Sequence, residues 1–425
     1  MKGRGYSNMK IAIIGTGISG LTAAYLLHER HDVHVYEGSH KIGGHTATID
    51  VEHDGENYAI DSGFIVFNDK TYPMFNKLLK DIGVDRKKTE MSFSLSCSKT
   101  GLEYAGSNIN TLFAQRKNML SLYFWNLLRD IYRFNNEVIA ELDTGVICPE
   151  TTLGSYLADR GYSQGFIQHY LVPMGAAIWS ASTQVMLKFP LIFFIRFFNN
   201  HGLLDIRNRP QWYVIPGGSK NYLQPLTHYF SHRITCNANI RHISRSNDQV
   251  IIEFNNNLKE YFDQVVIATH SDQALALLHD ATAEEEKILG AIPYKPNEVV
   301  MHYDDSLLPE NRRTWSSWNY LLTDYPQDEA VLTYNMNILQ GIKAPVTFCV
   351  TLNNAHAINK DKFIDRFVYD HPVFTVEGVA AQEKWQQVNG VNRTWFCGAY
   401  WANGFHEDGV QSAVRVSEKL GGATL

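Results

Sequence analysis

Residues 10–27 read KIAIIGTGISGLTAAYLL, an apolar run that meets three glycines and continues as a second apolar run. Gly15, Gly17 and Gly20 form G-x-G-x-x-G, with Ala24 four residues on. The spacing predicts a strand, a tight turn at Gly15 and a helix. Gly17 leaves room for a pyrophosphate to approach the backbone, and Gly20 and Ala24 let helix and sheet pack closely. The helix start, Ser19 included, faces the phosphates. Taken alone the fingerprint is weak, but DVHVYEGS follows at 32–39. Its alternation predicts a second strand, ending in Glu37 where a carboxylate accepts ribose hydroxyls. The expected fold class is α/β with a Rossmann-like dinucleotide-binding domain.

Glu37 disfavours NADP, whose extra phosphate would meet a like charge. The next segment, KIGGHTAT, places Gly43 and Gly44 in a loop that can approach the pyrophosphate from the other side. This stretch resembles the GG motif of the flavin amine oxidase superfamily. His45 stands where that family usually has Arg. DSGFIVFND (61–69), WYVIPGGSKNYLQPL (212–226) and TWFCGAYWANGFHEDGVQSAVRVSEKL (394–420) fit the same superfamily. The resemblance covers most of the chain and implies FAD, held non-covalently.

It also implies site positions. Asn239 or Ile240 would meet the adenine through the backbone. Gly398 would end a strand near the ribityl-phosphate. Gly409 and Val410 would begin a helix whose N–H groups favour negative charge on the flavin. The usual acidic residue after the strand glycine is Ala399 here, leaving that contact missing or supplied by Glu407 or Asp408. His270 stands where the family often has Pro. YLVPMGAAIWS, FFNNHGLL, RPQWYVIPGGS, SSWNY and GFHEDG resemble a bacterial subgroup of FAD/NAD-binding amine-oxidase-like oxidoreductases. That subgroup is associated with cyclopropane-type or modified fatty acids.

A flavin domain of this kind is discontinuous, and the expected pieces are 9–85, 205–275 and 388–425. The expected substrate domain comprises 86–204, read as a helical insert with few strand signals, and 276–387, read as an antiparallel sheet. The run LKFPLIFFIRFFNNHGLL, 187–204, is too short to span a bilayer. It reads as a core helix beneath the flavin domain, as the wall of a substrate tunnel, or as a contact with a membrane surface.

Motifs for other chemistries are missing: there is no G-x-S-x-G elbow, H-E-x-x-H helix or paired Cys/His spacing, so no metal is expected. The redox chemistry then rests on the flavin. His406 and Glu407 are the candidate catalytic residues, His406 as general acid or base, as a donor to the flavin, or as a loop-ordering residue. Trp179, Tyr213, Tyr400 and Trp401 are candidate substrate contacts, with packing the alternative for each. Trp318, Asn319 and Tyr320 read the same way, and His302 and Asp304, at a strand end, are expected at the surface.

A net charge of −6 argues against a nucleic-acid partner. Five scattered cysteines without CxxC spacing read as reduced thiols. A cytoplasmic location is expected, with the inner membrane surface as an alternative. Met9 is an alternative start. The partners expected are an apolar or lipid substrate and an electron acceptor, dioxygen or another. The function expected is an FAD-dependent oxidoreductase removing a hydride from such a substrate. The alternatives are an amine oxidase, a redox-neutral isomerase of unsaturated fatty acids, and a non-catalytic FAD-binding partner protein.

Overall fold

The computed structural model describes residues 8–205 and 209–425. Residues 1–7, which precede the alternative start at Met9, lie outside the described residues.

Lys10–Ile14 is a strand whose Ile11, Ala12 and Ile13 are fully buried. Burial on both faces suits the centre of a parallel sheet, where apolar runs replace alternation. Helix Ile18–Leu27 returns the chain to strand Asp32–Tyr36, parallel to the first. The five-stranded parallel sheet has the order Ile234–Thr235, Asp32–Tyr36, Lys10–Ile14, Gln264–Ile267, Thr394–Phe396. The chain therefore leaves this sheet twice and comes back to it. The closing helix, His406–Lys419, packs on helix Ile18–Leu27. A three-stranded antiparallel meander, Ile240–Arg245, Val250–Phe254 and Lys259–Phe262, sits in the middle return.

The second layer is a seven-stranded sheet. Its order is Phe363–Pro372, Tyr294–His302, Cys349–Leu352, Leu332–Asn335, Trp318–Leu322, Phe93–Cys97, Leu102–Ala105. All neighbours are antiparallel except Phe93–Cys97 with Trp318–Leu322, which are parallel. The hairpin 93–105 lies in the segment expected to carry few strand signals. Its polar FSLSC pattern hid it: Ser94 is buried and donates to Asn319 at 2.8 Å. Helices Leu122–Thr144, Leu153–Asp159, Val172–Trp179 and Leu191–Asn200 pack on this sheet in a second apolar core.

Helix Leu191–Asn200 belongs to that second core and not to the layer beneath the parallel sheet. Phe193, Phe194, Ile195, Phe197 and Phe198 are all buried, and no large apolar side chain of the run is exposed. Its C-terminal end nevertheless reaches a cavity through Phe197, His201 and Leu203. No helix among the described residues is long and apolar enough to cross a membrane. His302 and Asp304, expected at the surface, are buried. Thr351 Oγ1 lies 2.7 Å from His302 Nε2, and the Asp304 N–H donates to His302 Nδ1 at 3.0 Å.

Candidate functional site

One cavity of about 970 Å³ runs between the two sheets. That is the upper end of the roughly 300–1,000 Å³ usual for ligand sites. One limb lies at the carboxyl ends of the parallel strands, the crevice where open α/β sheets bind ligands. Gly15 follows the first strand, Glu37 the second, Ala268 the fourth and Gly398 the fifth, and all four line the limb.

The glycines in this limb have different tasks. Gly15 has φ +102°, and a Cβ there would stand 2.9 Å from Ala268 O. A Cβ on Gly20 would stand 2.0 Å from Gly15 O, so this glycine serves the turn and not a ligand. Gly17 is open: a Cβ would meet nothing within 4 Å. Gly17 also caps helix Ile18–Leu27 without a side-chain hydrogen bond, so the first N–H groups of that helix face the cavity unclaimed by a cap. From the other side, Gly44 at φ +56° brings its Cβ position to 3.2 Å from Gly17 Cα. Gly43 N–H donates to Thr16 O at 3.1 Å. Two backbones therefore meet at the wall of this limb, with open space beside Gly17.

Glu37 ties the turn together. One oxygen accepts from Thr16 N–H at 3.0 Å and from the Thr16 hydroxyl, and the other accepts from Ser39 N–H at 2.9 Å. The second oxygen keeps acceptor capacity toward the cavity. Ala238, Asn239 and Ile240 line the same end, where Ala238 N–H donates to Glu37 O at 2.9 Å. Ser19 and His45 also line the limb. His45 is half-buried, 5.9 Å ring to ring from both His270 and His371 and 5.0 Å from Tyr369. Burial and the two neighbouring imidazoles push its pKa down to about 3. His45 Nε2 and His270 Nδ1 are buried and have no hydrogen-bond partner. Both residues line the cavity, and their unpartnered nitrogens lie within its wall. The open Gly17, the Glu37 carboxylate and these imidazoles together suit a dinucleotide such as FAD.

The closing helix starts at His406, three residues before the expected position. Phe405 N–H donates to Asp408 at 2.9 Å and fixes that start. Gly409 and Val410 do not line the cavity. A Cβ on Gly409 would come within 2.8 Å of Ile18 and Ser19, so this glycine lets the two helices approach. Gly398 lines the cavity beside Ala399, and its neighbour Cys397 is buried with its thiol pushed up to about 12 by burial.

His406 reaches the cavity but is clamped. Its ring stacks on Phe64 at 3.5 Å, and its Nε2 lies 3.2 Å from both Thr46 Oγ1 and Tyr222 OH. Burial holds its pKa well below the ordinary histidine value, so the ring is neutral at pH 7. Glu407 faces away. Its carboxylate accepts the N–H groups of Met74 at 3.0 Å and Phe75 at 2.9 Å, capping helix Pro73–Asp81. Burial raises the pKa of Glu407, and of Asp408 to about 7.

The other limb is apolar. Tyr104, Met174, Trp179, Trp318, Tyr334 and Phe374 are among its lining residues. Trp179 rests on Phe189 and Phe197, at 4.7 and 4.8 Å, with its Nε1 buried and unpartnered. Tyr400 lines the cavity and its buried hydroxyl has no partner. Trp401 and Tyr213 do not line it. Trp401 donates to Phe396 O at 3.1 Å, and Tyr213 lies under the Arg86 guanidinium. Asn319 and Tyr320 are buried away from the cavity; Asn319 bonds Ser316 O and Thr333 O. Tyr369 and His371 were not singled out in the sequence. They alternate along strand Phe363–Pro372, and that period of two was the available signal.

The model of the NAD(P)-binding Rossmann-like domain matches residues 13–82. No curated protein matches the chain in sequence. Putrescine oxidase, in a structure bound to putrescine, is similar over 97% of this chain and 98% of its own, with TM-score 0.70 and 12% identity. Cyclohexylamine oxidase from Brevibacterium oxydans IH-35A is similar over 97% of this chain and 100% of its own, with TM-score 0.67 and 15% identity. A CLA-producing fatty acid isomerase from P. acnes is similar over 97% and 98%, with TM-score 0.67 and 15% identity. The overall fold of this chain is thus similar to that of these three proteins.

Proposed function

We propose that the protein is an FAD-dependent oxidoreductase that removes a hydride from an apolar, fatty-acyl or lipid-derived substrate. One observation carries the reading: a single cavity joins the dinucleotide limb, with Gly17 and Glu37, to an aromatic and aliphatic limb. Burying about ten methylenes in such a limb contributes on the order of 8 kcal/mol. A small polar amine gains far less there.

FAD, when bound, supplies the hydride acceptor and passes electrons to dioxygen or another acceptor. The residues of this chain bind, orient and exclude water. Gly17 and Gly44 leave space for the diphosphate, Glu37 accepts ribose hydroxyls, and the backbone at Asn239 and Ile240 meets the adenine. The packed rings of Trp179, Phe197 and Phe374 keep water from the reacting carbon. His406 acts by position: Phe64 stacks on its ring, Thr46 and Tyr222 hold its Nε2, and burial lowers its pKa.

The likeness to two amine oxidases makes amine oxidation the second reading. Among the described residues, the carboxylates lining the cavity are Glu37 and Asp370, and the apolar limb offers none to a substrate ammonium. The likeness to a fatty acid isomerase keeps redox-neutral double-bond migration as a further alternative. The test starts from purified yellow protein. Acid or heat should release intact FAD into the supernatant. Under anaerobic conditions, unsaturated or cyclopropane fatty acids should bleach the flavin while putrescine and cyclohexylamine do not. Bleaching by amines alone makes the protein an amine oxidase. A migrated double bond without net oxidation makes it an isomerase. Protein without FAD overturns the reading altogether.

A further inference from the structure

An amphipathic helix at a protein surface normally turns polar side chains outward. Helix Leu122–Thr144 instead mixes large apolar side chains with Asn126 and Arg129 on the outside of its first three turns. Its inner face buries Phe124, Leu127, Phe134 and Val138. Its outer face follows the spacing 122, 125, 129, 132 and carries Leu122, 82% exposed, Trp125, 50%, Arg129, and Tyr132, 69%. The preceding turn Arg116–Leu120 adds Leu120, 91% exposed, and Met119, 53%. Ile109, in the turn before that, is 78% exposed. Isolated exposed apolar residues are ordinary, but a run of this density marks an interaction surface.

The charge around it is one-sided. From Tyr104 to Arg129 the sequence holds Arg116, Lys117 and Arg129 and no Asp or Glu. Arg129 is offset by Asp130 at 3.0 Å. Arg116 is held by Phe113 O and Asn110, with no carboxylate among those partners, and Lys117 is exposed beside it. Trp125 Nε1 donates to Met119 O at 2.9 Å, so the indole needs no water for its N–H. Protruding leucines, a tryptophan with its polar atom satisfied, and flanking cations are the chemistry of a segment that enters the headgroup boundary of an anionic bilayer.

We propose that residues 109–132 dock the protein on the surface of an anionic lipid membrane. The surface also lies beside an end of the cavity. Gly106, three residues before Ile109, is exposed and lines the cavity, as does the exposed Arg209. Docking there sets the apolar limb near the lipid phase. The docking rests on exposure and charge; only its use in delivering a substrate rests on the lipid-substrate reading.

The test is flotation of the FAD-loaded protein with vesicles of phosphatidylcholine, with and without phosphatidylglycerol. The wild type should float with the anionic vesicles. Leu120→Asp/Leu122→Asp should bind at least about tenfold more weakly, with unchanged flavin content and melting temperature. Arg116→Gln/Lys117→Gln should lose roughly thirtyfold on anionic vesicles and little on neutral ones, at about 1 kcal/mol per cation. A wild type that stays unbound, or variants that float as well as it does, overturns the proposal. So does a dimer in sedimentation that Leu120→Asp/Leu122→Asp splits while vesicles are ignored, since the face is then a contact between copies. Vesicle binding without flavin bleaching by any lipid leaves the docking standing and removes the substrate reading.

Discussion

Glu37 shows how much one side chain at a strand end can be asked to do. It receives the Thr16 and Ser39 N–H groups and so holds the glycine turn, while its remaining acceptor capacity faces the cavity. Hydrogen bonds to a charged group contribute roughly 1.5–3 kcal/mol each. Glu37→Ala should therefore weaken FAD binding about tenfold or more, and Glu37→Gln less, because the amide oxygen keeps one acceptor. Titration followed by flavin fluorescence decides it. Equal affinity in wild type and the Ala variant would remove Glu37 from the site. Glu407 teaches the opposite lesson. Beside His406 in sequence it looked like half of a catalytic pair, yet its carboxylate caps helix Pro73–Asp81. Sequence adjacency at a helix start turns successive side chains about 100° apart, so neighbours need not share a face.

The elements nearest the glycine turn were the most legible. A buried apolar run, three spaced glycines and an alternating strand are local signals, each with its own steric cause. The closing helix was placed three residues late because Gly409 looked like a start. The true start is set by Phe405 and Asp408, a pair visible only once the chain is folded. The hairpin 93–105 was missed because its partner strand, Trp318–Leu322, lies more than two hundred residues away. Within the turn, two glycines separate fold from ligand. A Cβ on Gly20 collides with Gly15 O, whereas a Cβ on Gly17 meets no protein atom within 4 Å. Gly20→Ala should lower stability by about 1–3 kcal/mol. Gly17→Ala should leave the melting temperature of flavin-stripped protein unchanged and still lose FAD affinity. Thermal unfolding and FAD titration on both variants separate the two roles. A Gly17→Ala protein that binds FAD normally would move the diphosphate elsewhere.

At the scale of the whole molecule, the two sheets meet across a zone rich in buried imidazole. His201 and His371 are pushed down to about 4 and His45 to about 3, each first by burial. His302, in the second sheet, is pushed to about 4 by burial. Groups with depressed native pKa values contribute stability above the unfolded value of about 6.5. They lose it as pH falls from there toward 4, because the unfolded chain takes up the protons first. Asp61, raised to about 6, and Asp408, raised to about 7, oppose this. Their native forms keep a proton that the unfolded chain releases, so they gain stability over the same descent. Glu407, also raised by burial, acts with these two, and His31, His169, His270 and His406, also lowered by burial, act with the four histidines. The depressed histidines outnumber the raised carboxyls, and the protein should weaken from pH 7 to pH 5. The denaturant midpoint should fall steadily across that range. His302 isolates the cause, since it lies outside the cavity lining and its Nδ1 accepts the Asp304 N–H, which a protonated ring cannot do. His302→Gln should flatten the slope by about 1.4 kcal/mol per pH unit, one proton's worth. A slope unchanged in that variant would mean that His302 titrates alike in the folded and unfolded chain, and its burial would then have no part in the acid sensitivity.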